Sequence, residues 1–200
     1  MLSDKIKFLL ILVTVLLLAA ACGKKDETNV NLDDPKVVRN IAHKVLDENI
    51  KFTISGYFTS DEVKSIVAGV EASGNKEFGI QFKLIEIVDD EFKNVYSTPV
   101  LQGSLNKCIV DKIKLSSVTG EMIYYNSQDF YMGTGGGEIF SYVINFSDRE
   151  IYYAHLIVEH RSGVALYLSK NINKPMLRKF FISYFKKDYP DLRIIESDIR

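Results

Sequence analysis

The residue types able to do chemistry sit in a few short stretches, and each stretch points to a definite candidate. Tyr131-Met-Gly-Thr-Gly-Gly-Gly-Glu138 places Gly133, Gly135, Gly136 and Gly137 within five residues. Glycine lets backbone N–H groups approach a phosphate closely. A P-loop, however, carries Lys-Ser/Thr after its last glycine, and here Glu138-Ile139 follow. A dinucleotide-binding turn opens a helix, whereas the residues after Gly137 read as a strand. Glu138 would also repel phosphate. The stretch reads as a loop before a strand, and Gly133, Gly135, Gly136 and Gly137 form a candidate partner-binding loop.

His155, Glu159 and His160 invite a metal reading. On a strand, His155, Ile157, Glu159 and Arg161 point one way, while Leu156, Val158 and His160 point the other. Zinc needs three or four convergent ligands, and the third histidine, His43, lies on a predicted helix surface. No metal site is expected. Cys108 lies in Lys107-Cys-Ile-Val-Asp111, a predicted strand, and reads as a small buried hydrophobe without a placed histidine partner. Asp89-Asp-Glu91 reads as a solvated turn. Neither Gly-x-Ser-x-Gly nor His-Glu-x-x-His occurs, so no catalytic residue and no cofactor is assigned.

The chain contains 25 Lys+Arg and 26 Asp+Glu. This balance offers no basic surplus for nucleic acid. The remaining cluster of charge is Lys174, Arg178, Lys179, Lys186 and Lys187 around a helix whose other side carries Leu177, Phe180, Phe181, Tyr184 and Phe185. Such a helix can lie on an anionic membrane, but packing on a sheet is the expected use of its apolar side.

The elements that would position these groups follow from period and punctuation. Asp33-Asp34-Pro35 is a helix start, with Val38, Ile41, Val45 and Leu46 at helical spacing as far as about Asn49. Lys51–Phe58 alternates as a strand. Thr59-Ser-Asp-Glu62 resembles a capping box, so a helix is expected to Gly74, with a strand over Ser65–Val70 as its rival. From Lys76 the period becomes two, with Phe78, Ile80, Phe82 and Leu84 on one face. Val95–Leu101, containing Pro99, can only be an edge strand or loop. Further strands are expected at Cys108–Leu115, Glu121–Tyr125, Glu138–Phe146, Glu150–Arg161 and Val164–Lys170. A helix from Pro175 ends at Asp188-Tyr-Pro190, and Leu192–Ile195 adds a short strand. The expected fold is α+β: a curved antiparallel sheet of about six to eight strands with two or three helices packed on it.

The N-terminus is the most specific stretch. Lys5 and Lys7 precede the run Phe8–Leu18, interrupted only by Thr14, and Ala19-Ala-Ala21-Cys22 follows. A positive start, an apolar core and small exit residues describe a secretory signal peptide. The apolar run is shorter than the roughly 20 residues of a spanning helix. Leu18 to Cys22 resembles the lipobox of bacterial lipoproteins, with Ala19 in place of the preferred leucine. That resemblance implies diacylglycerol on the Cys22 thiol, cleavage before it and acylation of the new amine. Gly23, rather than aspartate, implies the outer membrane by the enterobacterial sorting pattern. Residues 1–21 are then a cleaved signal peptide, 22–33 a lipidated, polar and flexible tether, and 34–200 a single α+β domain. The mature chain would carry 23 basic against 25 acidic residues. With Cys22 acylated, Cys108 is the sole remaining cysteine, and no intrachain disulfide can form.

The expected function is a lipid-anchored, non-catalytic binding module of the cell envelope, facing the periplasm. Its partner would be a protein, in the role of an assembly factor or a toxin-neutralising immunity protein. An envelope hydrolase and a carrier of a hydrophobic ligand are the rival readings.

Overall fold

The computed structural model describes residues 30–74, 77–103, 107–116, 118–130, 135–159 and 163–197. The expected signal peptide, Cys22, Gly133, His160 and Arg161 lie outside these residues. Contacts divide the chain into Met1–Asn31 and Leu32–Arg200, and the fold described is that of the second unit.

The order is α1 (Pro35–Leu46), β1 (Ile50–Gly56), β2 (Ser65–Gly74), β3 (Glu77–Val88), β4 (Glu91–Ser97), β5 (Cys108–Ile113), β6 (Met122–Phe130), β7 (Gly137–Asn145), β8 (Glu150–Glu159), β9 (Gly163–Ser169), α2 (Pro175–Lys186) and β10 (Arg193–Ser197). The class is α+β, but the strands form two sheets rather than one curved sheet. One sheet has the order β1-β2-β3-β4 and the other β10-β9-β8-β7-β6-β5. Neighbours are antiparallel except β10, which runs parallel to β9. The intervening α2 makes that crossover possible.

Local chemistry explains most boundaries. Asp34 caps α1, its carboxylate accepting from the Lys36 N–H at 2.8 Å, and Pro35 takes the first helical position. The helix stops at Leu46, three residues before the expected end, because Asp47 turns left-handed at φ 47°. Asp89 and Asp90, at φ 55° and 63°, form the two-residue turn of the β3–β4 hairpin. Asn145 closes the β7–β8 connection by accepting from the N–H groups of Ser147 and Asp148 and donating to the Asp148 carboxylate.

The helix expected from Thr59 to Gly74 is instead a loop and β2. Thr59 does not enter a capping box; its hydroxyl donates to Glu86, and Ser60 Oγ accepts from Val63 N–H at 3.0 Å. Ser65 to Val70 are buried without a break, as in a strand covered on both faces.

The inter-sheet core on one face of β2 and helix α1 on the other explain that burial. Between the sheets, Phe58, Val67, Phe82 and Leu84 meet Ile123, Tyr125, Tyr142, Ile144 and Phe146. Phe82 lies edge-on to Tyr125 at 5.4 Å and Phe58 to Phe146 at 5.9 Å. Gly69 leaves room for Phe52 beside it: a Cβ there would stand 2.2 Å from the ring. On the other face of the six-stranded sheet, Leu177, Phe181 and Phe185 of α2 pack on Tyr124, Val143, Leu156 and Leu166. Each such burial contributes roughly 1.5–3 kcal/mol. Helix α1 lies against β1, β2 and β4 and buries Val38 and Ala42. The layers therefore run α1, four-stranded sheet, six-stranded sheet, α2.

Candidate functional site: an aromatic face bearing Glu138 and His155

The face of the six-stranded sheet opposite α2 is shared between burial and exposure. Its lower part is covered by the four-stranded sheet. Further along β7, β8 and β9, the residues Phe140, Tyr153, His155, Ile157 and Tyr167 are only half-buried. Strand alternation puts them all on this face, since Leu156 and Leu166 point into the α2 core.

Register brings them together. Tyr142 pairs directly with Tyr153, and Phe140 with His155. Both pairs stack, at 4.8 Å and 4.7 Å between centroids with interplanar angles of 23° and 14°. His155 continues to Tyr167 at 6.3 Å, and Tyr142 continues inward to Tyr125 at 5.9 Å. Rings stacked across strands turn their faces to one another and their edges outward. This surface therefore offers ring edges and polar tips rather than an open platform for stacking a sugar or base.

Glu138 supplies the charge. Two residues before Phe140 on β7 and on the same face, its Oε2 lies 2.9 Å from His155 Nε2, with 29% and 16% of the two side chains exposed. Burial pushes the hydroxyls of Tyr142 and Tyr153 well above the ordinary phenol range, so both stay protonated as hydrogen-bonding groups at neutral pH. Tyr125, deeper in, is pushed up to about 12 by the same desolvation.

The glycine-rich stretch leads directly into this face. Gly135 is exposed at φ 64°, whereas Gly136 is buried. Gly137 is not a loop residue: it is the buried first residue of β7, paired to Phe130 and Val158. Among the described residues, Gly135 and Gly136 keep the loop character expected of the stretch, and Gly137 does not.

The other candidates separate. Cys108, Ser127, Phe140 and His155 share one cross-strand row. Three strand spacings put Cys108 roughly 14 Å from His155, too far for a thiolate–imidazolium pair, and burial pushes the thiol up. His43 is exposed on α1, where Arg39 reaches its ring. Asp89 and Glu91 are exposed and share Lys93. Among the described residues, no three His, Cys, Asp or Glu side chains come together to hold a metal ion. The charges of α2 stay outside its core, with Arg178 bound to Glu196 at 2.9 Å and Lys174 near Asp148 and Glu150.

Sequence reasoning missed the Glu138–His155 pair and the stacked rings around it. Alternation places each side chain on its face, but only the β7–β8 register makes them neighbours. The chain matches no family model, no curated protein and no solved structure.

Proposed function

We propose that the chain is a lipid-anchored, non-catalytic binding module of the bacterial cell envelope. It takes a protein partner on the face carrying Glu138, Phe140, Tyr153, His155 and Tyr167. The N-terminal order carries this reading: Lys5 and Lys7, the apolar run to Leu18, three alanines, then Cys22. Acylation of Cys22 by two or more chains makes attachment stable. Gly23 in place of aspartate favours the outer membrane, facing the periplasm.

A protein partner suits the face because Tyr-rich, half-exposed surfaces with a few polar groups recur at the centres of protein interfaces. The groups here hold one another in ring stacks and the Glu138–His155 hydrogen bond, which presents a preorganised surface. The carrier reading is disfavoured by the space between the sheets, which Phe58, Phe82, Tyr125 and Phe146 occupy.

Cys22→Ser tests the anchor. Wild type should incorporate palmitate and partition into detergent. The variant should stay unprocessed or leave the membrane, while Cys108→Ser should behave like wild type. Affinity purification from crosslinked cells should then yield one stoichiometric protein. A wild type without palmitate refutes the anchor, and the absence of any stoichiometric protein refutes the binding role.

A further inference from the structure

We propose that the end of the domain bearing Val63, Ile87 and Val88 rests on a zwitterionic lipid surface, which turns the Glu138–His155 face away from the membrane. The inference rests on the anchor at Cys22.

Four large apolar side chains are exposed among the described residues: Val63 at 59%, Ile87 at 52%, Ile109 at 43% and Val88 at 37%. Three of the four share one end of the four-stranded sheet. Ile66 pairs with Ile85, so Val63 precedes β2 just where Ile87 and Val88 end β3. The turn Asp89-Asp90 follows them.

The chain enters the fold at this same end. Leu32 is buried at 8% exposure, and Asp33 forms an ion pair with Lys64, the neighbour of Val63. The entry is therefore fixed next to the apolar side chains. Nine residues, Gly23 to Asn31, separate Cys22 from Leu32. Covalent geometry limits the reach from Cys22 to Leu32, ten residue steps, to no more than about 36 Å. The loop holding Val63 is tied to the end of the six-stranded sheet where β5 stops and β6 starts: Asp61 binds Lys114 at 2.7 Å, and Glu121 accepts from Tyr57 N–H at 2.9 Å. Gly137 and Glu138 begin β7 at the opposite end, roughly 27 Å away along a nine-residue strand.

Charge selects the lipid. Lys64, Lys93 and Lys114 pair with Asp33, Asp89 and Asp61, but acids still outnumber lysines around Val63, Ile87 and Val88. An acid-rimmed apolar tip is repelled by anionic headgroups. The exposed Lys179, Lys186 and Lys187 of α2 would instead favour them.

Full-length protein with Cys108→Ser, reconstituted into phosphatidylcholine vesicles doped with headgroup-spin-labelled lipid, provides the test. A fluorophore is carried on Ile87→Cys, Glu159→Cys or Lys179→Cys, with palmitate measured on each sample. The Ile87→Cys probe should be quenched about threefold more than the Glu159→Cys probe. Adding Val63→Asp and Val88→Asp, or anionic lipid, should reduce that difference while palmitate is retained. Palmitate present with the Ile87→Cys probe quenched no more than the Glu159→Cys probe, or with the Lys179→Cys probe quenched most, overturns the orientation and leaves the anchor standing. Absence of palmitate overturns the anchor and the orientation together.

Discussion

Glu138 on β7 and His155 on β8 are not register partners, yet Oε2 and Nε2 meet at 2.9 Å because His155 is held flat against Phe140. Stacking fixes the imidazole plane, and the carboxylate reaches it diagonally across the ladder. A hydrogen bond and a ring stack on one imidazole leave it little rotational freedom.

If this pair forms the centre of the partner-binding face, Glu138→Gln and His155→Phe should each weaken partner capture at least about tenfold, as removal of an interface-centre group does. Stability should change little, because a partly exposed side-chain hydrogen bond contributes about 0.5–1.5 kcal/mol. Capture from crosslinked cells and a thermal melt on each variant separate the two effects. Undiminished capture by both variants would place the interface elsewhere.

The buried tyrosines predict loss of stability in alkali. Desolvation raises the hydroxyls of Tyr124, Tyr125, Tyr142 and Tyr153 above their ordinary value of 10, Tyr125 to about 12. Above pH 10 the unfolded chain releases these protons while the folded chain retains them. The unfolded state then binds fewer protons, so stability falls as pH rises, by about 1.4 kcal/mol per pH unit for each proton of difference. Denaturant midpoints should be steady from pH 7 to about 9 and fall from pH 10 towards 12. Tyr142→Phe should flatten the slope, and an unchanged slope would contradict the assignment.

Helix α2 should act through its apolar side. Phe181 is fully buried against the six-stranded sheet. Phe181→Ala should cost about 3–5 kcal/mol and lower the melting temperature by about 10 °C. Lys179→Ala, on the exposed side, should stay within about 0.5 kcal/mol of wild type. Calorimetry of the two variants decides; equal effects would mean that α2 does not cap this core.

Local signals determined much of the chain. Pro35 and Pro175 opened both helices, and Pro190 marked the stop beyond α2, because proline suits a first helical turn and cannot continue a ladder. Alternation marked β1, β3 and β5 to β9. The order of lysines, apolar run, alanines and Cys22 remains the most specific functional statement in the sequence. What the tertiary structure decided depends on pairing between distant residues. Residues 65–70 are apolar enough for either a helix face or a doubly covered strand. They became β2 because β1 and β3 flank it and layers cover both its faces. The split into two sheets, the parallel docking of β10 and the meeting of Glu138 with His155 all depend on register. Hydrophobic periodicity sets which face a side chain takes; only the hydrogen-bonded ladder sets which side chains become neighbours.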